Sequence, residues 1–513
     1  MTRRWSRREV LGTAAFALGA AACRHVWPTN RSVADSRGET IYLAAVDRAA
    51  ALARAAYVPR PDDLPPVLRD IGYLTYQDIA FRQEAAVRLS DRFSLQLFHR
   101  GHFHKGRADI FIQPREGPER ALNYDQTRFS FGEDLASQRF ETSLGHPGFR
   151  LHDERGEFLV FLDAAYFRLR GSEQEYGLSG RGVAIDTGRG DAPEEFPDFT
   201  TFWVIEPEDG APFVDIVALL DGPSVTGAYL FRAQPGSSAT LTVRTTVFLR
   251  KPVETLGLAP LTSMFVHGSN GPLGHYDDFR PEVHDSDGLF LRTASEPAAW
   301  RPLINGRPTP RTSTFTTPGL ESFALLQRQR RFDHYVDTRA RYEDRPGVIV
   351  DVGDDFPKGD VRLYEIPSPE EYMDNIVAYV SPSTQPTPGA PLAFSYRLST
   401  VGSEPVAKLG QVIWTRIGSA ERMRYLDPPI PGRRIYFIDW AGEELPRDPT
   451  AKVTAEVIAS TGTIVEPVVE YVAKTRGWRV YFEHRPFADA VAELRATLHL
   501  GGRQIVETWL YGT

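Results

Sequence analysis

One cysteine in 513 residues, Cys23, excludes intramolecular disulfides and cysteine metal clusters. Positive charge is also short: 59 Lys and Arg stand against 67 Asp and Glu, for a net charge of −8. A nucleic-acid partner is excluded on that ground, because phosphate binding wants a surplus of Lys and Arg. No Walker or dinucleotide glycine loop is present. A nucleophile elbow is missing as well: in Gly177-Leu178-Ser179-Gly180-Arg181 an arginine stands where the second glycine belongs. Nucleotide enzymes and serine hydrolases become poor candidates.

Prolines (39) and glycines (42) are abundant, with short Val/Thr/Tyr/Phe runs between them, which favours an all-β chain. The length asks for more than one core. Eight Trp, 20 Tyr and 30 Phe supply core residues and faces on which sugar rings could stack.

The N-terminus has a basic region, Arg3-Arg4-Trp5-Ser6-Arg7-Arg8, before an apolar stretch from Val10 to Ala22. That is a signal peptide, too short to span a membrane. Ser6-Arg7-Arg8-Glu9-Val10-Leu11 resembles the twin-arginine export motif, with an ordinary secretory signal as the alternative. The exit from the leader reads two ways. Ala20-Ala21-Ala22 offers a cleavage site, and the same residues before Cys23 form a degenerate lipobox that would place a lipid on Cys23.

A polar spacer follows over 23–38. Helical spacing from Ile41 to Tyr57 puts Leu43, Val46, Ala50 and Ala53 near one face. Strand signals dominate from Phe93 onward. Leu241, Val243, Thr245, Val247 and Leu249 alternate with Thr242, Arg244, Thr246 and Phe248 at a period of two. Asp221-Gly222-Pro223 and Ser269-Asn270-Gly271 punctuate such runs. The proline-rich segment 381–391 predicts a semi-rigid linker between a large unit over 39–380 and a C-terminal unit over 392–513. In the latter, strands are expected at Lys452–Ala459, Trp478–Glu483, Leu494–Leu500 and Ile505–Tyr511, the spacing of an immunoglobulin-like sandwich.

Two constellations could carry chemistry. His99, His102 and His104 offer imidazoles, with His102 and His104 on one strand face, but no third or fourth ligand stands at sensible spacing. No metal or other cofactor is expected. Carboxylates are the stronger signal. Arg280-Pro281-Glu282-Val283-His284-Asp285-Ser286-Asp287-Gly288 packs three acids around a histidine, and Glu370-Glu371-Tyr372-Met373-Asp374 heads an apolar run. Clustered acids raise one another's pKa, and a glycosidase needs one protonated and one ionised carboxyl. A solvated acidic loop is the bland alternative for each.

These stretches, 278–289 and Met373-Asp374-Asn375-Ile376-Val377, resemble signatures of the osmoregulated periplasmic glucan biosynthesis family OpgG/OpgD (MdoG/MdoD). Further segments resemble it in order: Leu95-Gln96-Leu97-Phe98-His99, Ala165-Tyr166-Phe167-Arg168, Tyr176-Gly177-Leu178-Ser179, Glu194-Glu195-Phe196 and Glu507-Thr508-Trp509-Leu510-Tyr511. The likeness runs from about Leu64 to the C-terminus. The leader is nearer the OpgD branch and the Arg-Pro-Glu-Val-His-Asp wording nearer OpgG, so both branches stay open.

The resemblance implies a large galactose-mutarotase-like β-sandwich followed by an immunoglobulin-like β-sandwich. It implies a periplasmic protein acting on linear β-1,2-glucan, as an inverting endo-β-1,2-glucanase. The alternatives are a transglycosylase forming cyclic glucan and a non-catalytic glucan-binding or assembly factor. Asp374 is then the general acid and Asp285 the base acting through ordered water, with Tyr342, Arg345, His284, Arg280 and Asp287 contacting substrate. A membrane glucan synthase is the implied partner, the membrane itself is touched only through a lipid on Cys23, and a homodimer is allowed. Thr415 to Asp439 departs from the glucanase members: it is shorter and lacks their tryptophan-bearing loop.

Overall fold

The computed structural model describes residues 36–189, 193–270, 277–306, 308–402, 408–420, 432–487 and 490–513. The leader, the twin-arginine pair, Cys23 and the spacer up to residue 35 lie outside the described residues. So does 421–431, within the shortened stretch.

The period-two segments become strands of two large sheets that bury their inner faces against each other. Among the described residues one sheet has 11 strands. At its centre Tyr166–Leu169, Ser179–Arg181, Leu256–Ser263, Ile376–Pro382 and Gly359–Glu365 lie side by side, all antiparallel. The other has 15 strands, built on a run of antiparallel neighbours from Asp198–Ile205 through Val214–Asp221 and Val225–Gln234 to Thr240–Leu249. Phenylalanines interlock between the layers. Phe149 and Phe161 of the first sheet meet Phe202 of the second with ring centroids 5.1 Å apart, and Phe161 also meets Phe231 at 5.1 Å. The all-β expectation, a large sandwich and then a smaller one, is met.

The strand Thr240–Leu249 shows why alternation fades. Its first half alternates between buried and half-buried, whereas Thr245 to Leu249 are all buried. The second face is covered by the helix Ser36–Arg54, whose Tyr42 hydroxyl meets the Thr246 hydroxyl at 2.9 Å. Phe248 packs on its Ala49 and Ala53. The helix thus buries Tyr42, Ala45, Ala49 and Ala53, and Leu43, expected inside, faces solvent. Small residues let the helix approach a flat sheet closely, and they set the face one position away from the bulkier leucine.

The proline-rich segment also departs from expectation. Ser381 and Pro382 finish the strand Ile376–Pro382, and Pro391 opens the strand Pro391–Val401. That strand lies between Thr240–Leu249 and Gly347–Val352, inside the large sheet. Residues 383–390 therefore join the two layers of one sandwich, and the large unit holds the chain as far as Val401. Proline is compatible with strand ends, where its missing N–H breaks no ladder.

Beyond residue 408, Gln411–Ser419, Arg434–Ala441, Gly477–Arg485 and Thr463–Val472 form one four-stranded layer. It faces Val453–Ala459, Glu493–Leu500 and Thr508–Gly512 across Trp440, Val480, Phe482, Leu494, Leu498 and Trp509. Thr508–Gly512 also runs parallel to Ala299–Pro302, which splices this layer onto the large sheet. Strand alternation at the splice is divided between two cores. Leu289, Phe323 and Val350 point to the large core, while Phe290, Ala324 and Ile349 point to the small one. Among the described residues, no helix is long and apolar enough to cross a membrane.

Candidate active site

Asp374 and Asp285 are brought together by neighbouring residues of one segment. Asp285 follows the short strand Val283–His284, and its amide donates to the Met264 carbonyl at 2.9 Å. Asp374 precedes the strand Ile376–Pro382, and its neighbour Asn375 is buried. The Asn375 side chain accepts from the Phe265 amide at 2.8 Å and donates to the Phe265 and Ile366 carbonyls, both at 2.9 Å. Both acids hang from Met264-Phe265, and the Ser263 hydroxyl donating to that of Ser286 at 2.8 Å closes the same junction. Nothing in the local sequence marks Asn375, because an asparagine at a strand start shows nothing of a partner so distant in the chain.

Arg345 clamps Asp285: its Nη1 lies 2.5 Å from Oδ1. The guanidinium also donates through Nε to the Ala340 carbonyl at 3.0 Å and lies 4.4 Å over the Tyr342 ring. Tyr342 is buried and donates its hydroxyl to Glu371 at 2.8 Å. Burial and that carboxylate push its phenol up. The Arg345 guanidinium thus pairs with Asp285 while resting on the Tyr342 face.

Asp374 is in a different setting. Solvent reaches it, and Tyr372 and Met373 beside it are exposed, yet protein crowds its other sides. Desolvation raises its carboxyl pKa; the charge of Asp285 adds to the rise, and Arg168 and Arg181 offset it without cancelling it. Arg168 donates to the Ser179 hydroxyl at 2.8 Å. Arg181 pairs with Glu194 at 2.6 Å, between the rings of Tyr166 and Phe196. These residues sit in stretches that carry the family resemblance, where the sequence offered no reason to give them a role. Because the folded pKa lies above the unfolded one, ionising Asp374 destabilises the fold as pH rises through the folded pKa. Asp374→Asn is therefore expected to raise Tm at pH 7, with the gain shrinking towards pH ~4, near the ordinary carboxyl pKa. Thermal melts at a series of pH values check this; an equal gain at both extremes would refute it.

The remaining expected residues scatter. His284 is fully buried, with Nε2 2.9 Å from Glu282 Oε2 and Nδ1 2.7 Å from Gln327 Oε1, so neither nitrogen is left for a sugar. Arg280 is spent on three carboxylates: a two-pronged pair with Asp278, Asp337 at 3.0 Å and Glu371 at 2.6 Å. Those partners push its guanidinium pKa further up. It shares the Glu371 carboxylate with Tyr342. Asp287 turns elsewhere, its Oδ2 accepting the amides of Arg328 and Gln329 at 3.1 and 3.3 Å. It lines a small cavity with Trp300, Arg328 and Trp414 at the junction with the C-terminal sandwich, and burial raises its pKa. A neighbouring cavity of about 300 Å³ lies there too, between Gln327 and Trp414. Neither cavity is lined by Asp374 or Asp285.

The three histidines go separate ways. His99 is buried and hydrogen-bonds Tyr124 at 2.9 Å, and burial lowers its pKa to about 4. His104 contacts Asp163, and His102 meets Phe103 at a tilt, ring centroids 3.9 Å apart. Among the described residues no group of three His, Cys, Asp or Glu side chains converges as a metal site.

Comparisons with known proteins agree on one family. A glucans biosynthesis protein G from Shewanella frigidimarina is 40% identical over 472 residues, covering 90% of this chain and 82% of the relative. A glucans biosynthesis protein D 1 from Ralstonia nicotianae is 39% identical over 484 residues, 90% of each. A probable glucans biosynthesis protein D from Shewanella oneidensis is 35% identical over 518 residues, 98% of this chain and 93% of its own length. The family model described as periplasmic glucan biosynthesis protein, MdoG, matches residues 42–513. With that match over nearly the whole described chain, and relatives named G and D at similar identity, the chain belongs to the MdoG family of periplasmic glucan biosynthesis proteins.

Proposed function

We propose that this chain serves periplasmic glucan biosynthesis by cutting the linear β-1,2-glucan backbone as an inverting endo-glucanase. The relatives' names support the glucan, and the family description supports the periplasm. The observation that carries the reaction is the unequal acid pair: Asp374 with a raised pKa on an open face, beside Asp285 clamped by Arg345. Asp374 gives its proton to the glycosidic oxygen as the bond to the anomeric carbon breaks. Asp285 removes a proton from a water, through ordered water, as the new carbon–oxygen bond forms on the opposite face. One water is consumed, the anomeric centre inverts, and a proton passes from Asp285 back to Asp374 between turnovers. Exposed Tyr372 and Phe279 flank Glu371 and Arg280 and offer faces for sugar rings.

Incubation of the purified protein with linear β-1,2-glucan tests this. Shorter linear products with inverted anomeric configuration are expected. Ring products would point to transglycosylation, and binding without new ends would support the assembly-factor alternative.

Export is expected to use the twin-arginine route, on the evidence of Ser6-Arg7-Arg8 ahead of a modest apolar segment. Arg7→Lys together with Arg8→Lys should strand the precursor in the cytoplasm, as read by fractionation. Normal periplasmic accumulation of that variant would rule the route out.

A further inference from the structure

Beneath Asp285 lies a buried polar group that the acid–base reading does not use. Gln327 is 2% exposed, at the end of the strand Leu320–Leu326, and its Nε2 donates to two carbonyls, His284 at 2.7 Å and Tyr342 at 3.3 Å. Those two donations orient the amide, so Oε1 must face His284 Nδ1 as an acceptor, and Nδ1 must carry a proton. His284 Nε2 faces the Glu282 carboxylate, also an acceptor, and so carries a proton too. Both ring nitrogens donate, which makes His284 an imidazolium. Glu282 is itself held from the far side by His334 Nδ1 at 2.8 Å.

We propose that Glu282, His284 and Gln327 form a positioning unit that sets Asp285 against Tyr342 and Arg345, with the His284 imidazolium locking the Gln327 amide in place. This rests on Asp285 acting as the base. The carbonyl of His284 belongs to the peptide whose N–H is that of Asp285, and Tyr342 lies three residues before the arginine that clamps Asp285. Gln327 therefore ties both ends of the Asp285–Arg345 pair to one amide. A neutral imidazole with a bare Nδ1 would favour the flipped amide, turning Oε1 onto two carbonyl oxygens and repelling both.

The acids around the ring suit the charge, and His267 on the adjacent strand opposes it, its own pKa lowered by burial and in part by the charge of His284. On its own segment His284 meets Glu282 and the charge of Asp287. Phe265 stacks on the ring at 5.5 Å and Tyr335 meets it edge-on at 5.3 Å, neither bringing charge. Burial works to lower the pKa of His284, but Glu282, Asp287 and Gln327 outweigh it and the balance is upward. Burial likewise works to raise Glu282, and the two histidines overcome it, down to about 2.

The test uses the mature protein with selectively ¹⁵N-labelled histidine. Two protonated ring nitrogens are expected for His284 at pH 7, and Glu282→Gln should shift it towards the neutral form. Gln327→Glu keeps the shape and the acceptor but removes both donations, whereas Gln327→Met removes everything polar. Both are expected to lower kcat on linear β-1,2-glucan about tenfold to a hundredfold, the scale of a misplaced reacting group, with KM within about twofold. A packing role would be rescued by the isosteric Glu, so wild-type kcat in Gln327→Glu overturns the unit. So does a neutral His284 in the wild type, and that spectrum needs no substrate. Full activity of Asp285→Asn would instead remove the base assignment while the spectrum still decides the imidazolium.

Discussion

Asp374→Asn is expected to lower turnover of linear β-1,2-glucan by about 10²–10⁴-fold, the usual worth of general acid–base assistance, while the glucan still binds. The substitution keeps the side chain's shape and removes its proton. The physical basis is the raised carboxyl pKa of Asp374, pushed up by the protein packed around its exposed side chain and then by the charge of Asp285. Asp285→Asn should fall as far, because it removes the group that takes the water's proton and leaves Arg345 without its carboxylate. Asp287→Asn should cost less. Its Oδ2 accepts two backbone amides, and an asparagine oxygen can accept the same two. Steady-state rates and glucan binding for the three variants decide the matter. An Asp374→Asn protein that cuts at the wild-type rate would end the general-acid assignment.

The second large effect is on stability. Glu507→Ala is expected to cost about 3–5 kcal/mol, the range for removing one partner of a buried ion pair. Glu507 is wholly buried and takes Arg328 at both oxygens, at 2.5 and 3.0 Å, together with the Val412 amide at 2.7 Å. Arg328 in turn lies 3.6 Å over Trp300. Three stretches meet at this carboxylate: the end of Leu320–Leu326, the start of Gln411–Ser419 and the lead into Thr508–Gly512. Truncation leaves the Val412 amide unpaired and the guanidinium without its carboxylate, holding the Val412 carbonyl at 3.0 Å, in the seam between the two sandwiches. Replacing the pair together, Arg328→Met with Glu507→Leu, should cost less than Glu507→Ala, because no uncompensated charge stays behind. Urea midpoints of the variants read the effect, and a loss under ~1 kcal/mol for Glu507→Ala would contradict the seam's dependence on this pair.

Much of the strand pattern was legible because alternation is a local property. Thr240–Leu249, Val453–Ala459, Gly477–Arg485 and Glu493–Leu500 lie within a residue or two of their expected bounds. The last expected strand, Ile505–Tyr511, was shortened to Thr508–Gly512 because Glu507 is drawn into the Arg328 pair and Ile505 and Val506 fill the small core. The helix face was one residue off because apolarity ranks Leu43 above Ala45 and Ala49, whereas a flat sheet selects for small size. The proline-rich stretch resembles a boundary because proline density cannot distinguish a linker between domains from a link between the layers of one.

By itself the sequence determined an all-β chain and the two short stretches bearing Asp374 and Asp285. Each is a matter of composition or local order, which the chain carries before it folds. Tertiary structure alone decided which acid is crowded and which is clamped, since both are aspartates followed by a polar residue. It also decided that His284 and Arg280 are spoken for, and that Asn375 and Gln327 matter. Besides near neighbours such as Glu282 and Asp278, each of these residues has a partner tens of residues away in the chain. A hydrogen bond across that distance leaves no periodicity in the sequence, because an amide or a carboxylate looks the same on a wet surface as it does beneath an active site.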